Sequence, residues 1–182
     1  MLKLSENPPI LSPGVTSLDE LPGPWWVAHT KARFEKALAW DLLNGNINYF
    51  LPMVERITVS SGKKRRGMMP LFPSYLFFCG PHDHRQKVLA TNRVCQVIAV
   101  KEVDQFVSEI TALQRALASD CILDFYPDLV VGRRVRVCAG ALKGTEGTLV
   151  EKNSVHRLVL HISMLGQGAS LEIAADLLEA VT

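Results

Sequence analysis

The stretch MMPLFPSYLFF, residues 68 to 78, decides how the first half of this chain can fold. Proline has no N–H donor, fixes φ and biases the preceding residue toward extended geometry, so Pro70 and Pro73 exclude a regular central strand over the whole length. The pattern predicts a strand over Ser74 to Phe78 only, preceded by a kinked apolar segment at a sheet margin. That position favours Phe72 and Tyr75 as a docking surface, and burial of Phe72 in a core is the alternative.

The composition predicts a globular protein. A length of 182 residues with 48% hydrophobic content is enough for one or two domains with real cores. The apolar runs are shorter than the ~18 residues needed to cross a bilayer, and residues 1–23 carry no secretory signal, so we expect a cytoplasmic protein without a membrane partner. The four cysteines, at 79, 95, 121 and 138, form no C-x-x-C pair and are expected to be reduced and buried.

The charge is unevenly distributed. Residues 25–66 carry eight basic and three acidic side chains, and residues 130–157 carry six and two. Residues 102–128 between them carry six acidic side chains against one arginine. Two basic regions around an acidic one suggest contact with a polyanion, although solvated surface charge is the commoner explanation of any single cluster.

Residues 1–24 are predicted to be a disordered tail, since they hold five of the ten prolines and few large apolar side chains. Residues 25–118 alternate strands with amphipathic helices and predict an α/β sandwich of about four antiparallel strands with helices on its faces. The turn at Ser60 to Lys63 predicts a hairpin whose tip carries Lys63, Lys64, Arg65 and Arg66. Four adjacent cations need either bulk solvent or a phosphate partner.

Residues 119–130 are predicted to be an acidic linker, and residues 131–182 a small all-β barrel. Val135 and Val137 alternate with arginines, which is the period of a half-buried strand. Gly140, Gly144 and Gly147 cluster at the first connection, where tight turns need positive φ. About five strands in 50 residues favour a closed barrel. The complete chain is therefore of the α+β class.

The ordered motifs resemble the NusG family of transcription elongation and antitermination factors. WWV at 25–27, FLPM at 50–53, the basic hairpin and PLFPSYLF at 70–77 are similar to its N-terminal (NGN) domain, and GRRVRVCAGALKGTEGTLVE at 132–151 is similar to the KOW motif that follows. The resemblance implies a monomeric, non-enzymatic factor that rides on RNA polymerase and promotes processive elongation.

The resemblance also implies where partners bind. The NGN domain would dock on the coiled-coil clamp helices of the largest polymerase subunit through Trp25, His29, Phe72, Tyr75 and Val100. A contact to the lobe of the second large subunit would involve His84, Arg85 and Gln86. Non-template or upstream DNA would be met by the residues Lys31, Arg33, Lys63, Lys64, Arg65, Arg66 and Arg93.

In this family the KOW barrel recruits either the termination factor Rho or a small-subunit ribosomal protein. The partner site would comprise Gly140, Leu142, Gly144 and Gly147, with Leu142 where relatives often carry an aromatic residue. This departure, the tail and His84-Arg85-Gln86 favour a specialised, RfaH-like paralogue that acts on particular operons.

The competing hypothesis is an RNA-binding or ribosome-associated module in which Tyr75 and Phe77, near the basic hairpin, stack on bases. An enzyme is not indicated, since the sequence shows no catalytic triad, phosphate-binding glycine loop or paired carboxylates. No cofactor is expected. His82-x-His84 lacks a third ligand nearby, so no metal site is predicted.

Overall fold

A computed structural model describes the backbone of residues 6–60, 62–119, 121–126, 132–152 and 155–181; the side chains of Thr58, Ser60, Lys63 and Lys152 lie outside this description. The described residues form two compact units. The first comprises residues 6–16 and 20–103, and the second comprises residues 17–19 and 104–181. The predicted α+β class is confirmed, because helices and an antiparallel sheet in the first unit are followed by an all-β sheet in the second.

In chain order the elements of the first unit are β1 (Trp25–Thr30), α1 (Glu35–Asn44), β2 (Tyr49–Phe50), β3 (Met53–Ser60), β4 (Lys63–Pro70), β5 (Tyr75–Cys79), α2 (His82–Ala90) and β6 (Val94–Ala99). They form a four-stranded antiparallel sheet of order β2-β5-β1-β6 and a separate two-stranded ribbon, β3-β4. The predicted strand over Ser74 to Phe78 is found one residue later, as β5. The prediction that this is the only strand in residues 68–78 is wrong, because Met68 to Pro70 form the end of β4 and Pro70 ends that strand.

One face of the four-stranded sheet forms a core with α1 and α2. Trp26, Ala28 and Phe78 point to this face, and Leu38 and Leu42 of α1 and Val88 of α2 belong to the same cluster. Successive residues of a strand point to opposite faces, so Trp25, Val27 and His29 lie on the other side. Helix α1 ends at Asn44, and Asn46 adopts a left-handed φ of 52°, a conformation that asparagine tolerates at helix ends.

The predicted disordered tail is wrong for the described residues 6–24, because residues 7–12 form a strap along β2. Leu11 bridges Phe50, the N–H of Leu51 donates to Ile10 O (2.7 Å), and the N–H of Tyr49 donates to Ser12 Oγ (2.8 Å). The strap occupies backbone groups at the open edge of β2 that would otherwise lack partners. Residues 1–5 of the predicted tail lie outside the described residues.

The second unit contains α3 (Val103–Ala118) and six strands, which are β7 (Asp124–Tyr126), β8 (Arg133–Val137), β9 (Glu146–Lys152), β10 (Val155–Ile162), β11 (Gln167–Glu172) and β12 (Leu178–Ala180). The strands form an antiparallel sheet of order β12-β8-β9-β10-β11-β7. The predicted alternation in β8 is confirmed, since Val135 and Val137 are buried between exposed arginines.

Two parts of the second unit differ from expectation. Residues 124–126, predicted as linker, are strand β7 and pair with β11, while residues 120 and 127–130 of that linker lie outside the described residues. Helix α3, predicted to pack on the first sheet, groups with the second unit: Glu109 accepts hydrogen bonds from the N–H and the hydroxyl of Ser163. Short-range sequence patterns carry no information on such distant contacts.

Burial of the cysteines is confirmed for Cys79 alone. Burial raises the pKa of the Cys79 thiol to about 11, whereas Cys95 is exposed and Cys121 and Cys138 are half-buried. Among the described residues, no helix has the length and apolar character needed to cross a bilayer.

Candidate functional site

The face of the first sheet opposite α1 and α2 is buried at one end and open at the other. Val27 lies opposite Phe77, and His29 lies opposite Tyr75. Val27 and Phe77 are fully buried, whereas His29 and Tyr75 are half-buried and Gln96, opposite His29 on β6, is exposed. The rings of His29 and Tyr75 stack with centroids 5.0 Å apart and an interplanar angle of 19°. The open end therefore presents a preorganised pair of flat side chains.

Phe72 and Trp25, both predicted as docking residues, are instead buried. Their exposed fractions are 0% and 1%. The turn after β4 folds inward, where the N–H of Leu71 donates to Pro52 O (2.8 Å), and it places the Phe72 ring edge-on to Phe77 at 6.2 Å. The expectation that the prolines keep Phe72 at the surface is wrong for this structure, because a kink can direct a side chain into a core as readily as out of it.

Glu35 helps to position the open end of the sheet, although the sequence does not identify it as a site residue. Its Oε1 accepts the N–H of Ser74 at 2.7 Å, and the side chain is buried. Ser74 has a φ of 67°, a left-handed conformation that costs a non-glycine residue energy unless its surroundings hold it. The carboxylate thus fixes the turn from which Tyr75 emerges. In the sequence Glu35 shows only as an acidic residue in the first turn of a helix, which does not indicate a partner 39 residues away.

Val100 lies at the other end of β1 from the stacked rings. Its N–H donates to Trp25 O (3.0 Å), and the side chain is half-buried. Residues 25 and 29 are separated by four strand residues, or about 13 Å. The five predicted docking residues therefore do not form one open patch: His29 and Tyr75 stand together, and Trp25, Phe72 and Val100 lie elsewhere or inside.

The ribbon of β3 and β4 carries the basic cluster. Its strands pair from Met53 opposite Pro70 to Ser60 opposite Lys63. Lys64, Arg65 and Arg66 are exposed, and the Lys63 side chain lies outside the described part of the protein. Arg66 Nε forms an ion pair with Glu55 Oε1 at 3.8 Å, and because both side chains are largely exposed, this pair contributes little to stability.

The remaining predicted nucleic-acid residues fall into two classes. Lys31 and Arg33 are exposed, and Arg33 has a left-handed φ of 67°. Arg93 is half-buried, forms an ion pair with Asp41 of α1 and lies 5.7 Å from the centre of the Phe34 ring. The ion pair and the ring contact give Arg93 a structural role in this conformation. The sequence does not indicate this role, because Asp41 lies 52 residues before Arg93.

The three residues predicted to contact the second subunit have different surroundings. Arg85 lies 5.8 Å from the centre of the Trp26 ring and is half-buried. His84 lies so close to Gly80 that a Cβ on that glycine would fall 2.1 Å from His84 Nδ1. Gln86 is exposed. Of the three, Gln86 is thus the most accessible to a partner.

The connection between β8 and β9 holds the predicted partner site of the second unit. Gly140 and Gly144 adopt φ of 82° and 84°, as the turn prediction requires. Gly147 is needed for another reason: a Cβ there would lie 2.7 Å from both Leu158 Cδ1 and Val159 O. Leu142, predicted as a contact residue, is only 5% exposed, so its side chain fills the core of this unit.

Charged side chains on β8 bind a carboxylate on the neighbouring strand β9. Arg136 and Arg134 donate to Glu146 at 2.6 and 3.0 Å, and these hydrogen bonds hold the pKa of the Glu146 carboxyl below its usual value. Lys143, in the turn between β8 and β9, is exposed. The basic character of this unit is therefore partly neutralised at β8.

A protein-family model matches the first part of the chain. The family model described as NusG, transcription termination factor nusG, matches residues 23–116, which is just over half of the chain and covers β1 to β6 and all but the last two residues of α3. No curated protein sequence matches the chain. The chain therefore belongs to the NusG family of transcription elongation and termination factors.

Proposed function

We propose that the protein binds the coiled-coil clamp helices of the largest RNA polymerase subunit through the open end of its first sheet and favours processive elongation. The observation that carries this proposal is the stacked, half-buried pair of His29 and Tyr75. Rigid aromatic side chains that lose little entropy on binding supply much of the energy of a protein interface. The buried Phe72 and Trp25 support this surface from within the fold.

The same proposal gives supporting roles to three other regions. Lys31, Arg33 and the tip of the ribbon contact non-template or upstream DNA, and Gln86 on α2 contacts the second large subunit. The second unit acts as a KOW domain that recruits either Rho or a small-subunit ribosomal protein. Because Leu142 is buried, that recruitment uses the exposed parts of the connection around Lys143.

The proposal is tested by retention of purified core polymerase on the immobilised full chain. His29→Asp and Tyr75→Asp place a charge in the docking surface, and each should weaken retention by at least about 30-fold, the range of a hot-spot residue. Trp40→Asp is the matched control, because Trp40 is 38% exposed on α1, an element outside that surface. Full retention by both docking variants would contradict the proposal.

The alternative function, an RNA-binding module without polymerase binding, loses one of its two stacking residues. Phe77 is fully buried and Tyr75 already stacks on His29, so the sheet offers no row of free aromatic rings in its described part. Tight binding to free RNA that collapses with salt, combined with no polymerase retention, is the result that would favour it.

A further inference from the structure

The ribbon of β3 and β4 has one face on which apolar side chains and cations stand side by side. Ile57 lies directly opposite Arg66, and Val59 lies directly opposite Lys64. Residues in such cross-strand pairs project from the same face. Ile57 is 58% exposed and Val59 is 66% exposed, which makes this face an apolar stripe bordered by two positive charges.

The stripe is exposed because the ribbon that carries it is a separate two-stranded sheet in the described part of the chain. Among the described residues the ribbon is a sheet of its own, and no third strand pairs with either of its strands. A single exposed aliphatic residue is ordinary, but two on one face of a projecting ribbon, two positions apart, form a continuous surface. Eight residue pairs make the ribbon about 26 Å long, enough to reach a partner at its tip.

The charge of the ribbon selects an anionic partner. Residues 53–70 contain five basic side chains and one acidic side chain, Glu55. Glu55 lies on the same face as the stripe, opposite Met68, and contacts Arg66 at 3.8 Å. Both groups of this ion pair are largely exposed, so a phosphate can replace the carboxylate at little cost.

The chemistry of the stripe distinguishes between nucleic acids. Single strands are bound by stacking on aromatic rings, and residues 53–70 contain none. Aliphatic side chains instead contact base edges and thymine methyl groups, and the major groove of B-form DNA, about 12 Å wide, admits a two-stranded ribbon. The major groove of A-form RNA is too narrow for it, and the RNA minor groove presents hydroxyls rather than apolar surface.

We propose that the ribbon enters the major groove of duplex DNA, with Ile57 and Val59 against the base edges and Lys64 and Arg66 on the flanking phosphates. This inference deepens the DNA contact proposed above. It names duplex rather than single-stranded DNA as the ligand of the ribbon, and it assigns binding residues that charge alone does not indicate. It does not depend on docking to polymerase.

The test is fluorescence anisotropy of the full chain with a 20-base-pair DNA duplex, its single strand and an RNA duplex of the same sequence, over a range of salt. The DNA duplex should bind most tightly. The double variant Ile57→Ser/Val59→Ser should bind the duplex about tenfold more weakly with an unchanged salt slope, since it removes apolar contact only. Arg66→Gln should reduce the salt slope by about 1, since one phosphate contact is lost.

Two matched controls test whether the effect is specific to the stripe or follows from the loss of any exposed apolar or charged side chain. Met69→Ser removes an exposed apolar side chain from the opposite face of the same ribbon, and Arg115→Gln removes an exposed charge from α3 in the second unit. Both should leave the affinity and the salt slope unchanged. Polymerase retention by the ribbon variants should also be unchanged, so failure here and failure of the docking proposal give different results.

Three results would overturn the inference. The first is unchanged duplex affinity in Ile57→Ser/Val59→Ser while thermal unfolding is also unchanged. The second is single-stranded DNA binding at least as tightly as the duplex. The third is equal affinity for the RNA duplex.

Discussion

Glu35 shows at the residue scale how one buried carboxylate shapes the candidate docking surface. It holds the N–H of Ser74 in a left-handed turn, and the next residue is Tyr75. Glu35→Ala leaves that partly buried N–H without its acceptor and should lower the free energy of unfolding by about 1–3 kcal/mol. Glu35→Gln keeps an acceptor oxygen and should cost less. Urea unfolding measures both, and equal losses would argue against the hydrogen bond as the cause.

Substitutions of Phe72 distinguish a role in the core from a role in docking. The ring is fully buried against Phe77, so Phe72→Ala should lower the free energy of unfolding by about 3–5 kcal/mol through lost burial and a residual cavity. Phe72→Leu fills part of that cavity and should cost less. If Phe72→Ala kept its stability and lost polymerase retention, the ring would be a docking residue after all.

Tyr49 links stability to alkaline pH. Burial raises the pKa of its hydroxyl to about 12, and the hydroxyl donates to Pro9 O at 2.9 Å. Because the folded-state pKa lies above the unfolded value of about 10, the stabilisation is complete below pH 10 and is lost as the pH rises toward 12.

The measurement is urea unfolding at pH 9 and pH 11.5. The wild type should lose on the order of 2 kcal/mol more than Tyr49→Phe between the two conditions, because the variant has no hydroxyl to ionise. Equal losses would show that other groups, such as the Cys79 thiol, account for the alkaline change.

At the scale of elements, the strap of residues 7–12 completes the edge of the first sheet. Ser12 Oγ accepts the N–H of Tyr49, and Lys36 Nζ donates to Asn7 Oδ1 and to Met68 O, both at 2.6 Å. The strap therefore connects β2, α1 and the base of the ribbon. Its proline content suggested disorder, but prolines suit an edge strap, where only some backbone groups need a partner.

Ser12→Ala tests the strap. The substitution leaves the buried N–H of Tyr49 without its acceptor and should destabilise the protein by about 1–3 kcal/mol. Thr16→Ala is the control, because Thr16 is exposed and donates to the exposed Glu20. It should change stability by less than about 0.5 kcal/mol. Similar small changes in both variants would mean that the strap contributes little, as the sequence had suggested.

At the scale of the whole molecule, the unexpected feature is that α3 groups with the second compact unit rather than with the first. The family model includes most of α3 in the region 23–116. The contacts of α3 instead group this helix with the second unit, where Glu109 accepts a hydrogen bond from Ser163. The predicted boundary at residue 118 therefore stays a prediction about evolutionary domains, while the compact units of this conformation divide near residue 103.

Hydrogen exchange can decide with which unit α3 is stabilised. Gly147→Ala forces a Cβ to 2.7 Å from Val159 O and should weaken the second sheet by about 1–3 kcal/mol. Amides of α3 should then exchange faster along with those of β10, while β1 and β5 stay protected. In the control Gly140→Ala, the new Cβ meets no atom within 4 Å, and only local strain is expected. Unchanged exchange in α3 would assign it to the first unit.

The sequence by itself determined the α+β class, the order of the two parts, the basic hairpin and the family, because hydrophobic periodicity, proline positions and turn residues are local signals. Only the tertiary structure decided which aromatic rings are accessible. Periodicity assigns His29 and Trp25 to the same face, but the depth of each ring depends on what packs over that face. The same is true of Glu35 with Ser74 and Arg93 with Asp41, whose partners lie 39 and 52 residues away. Long-range contacts leave no local pattern, so they become visible only in the folded chain.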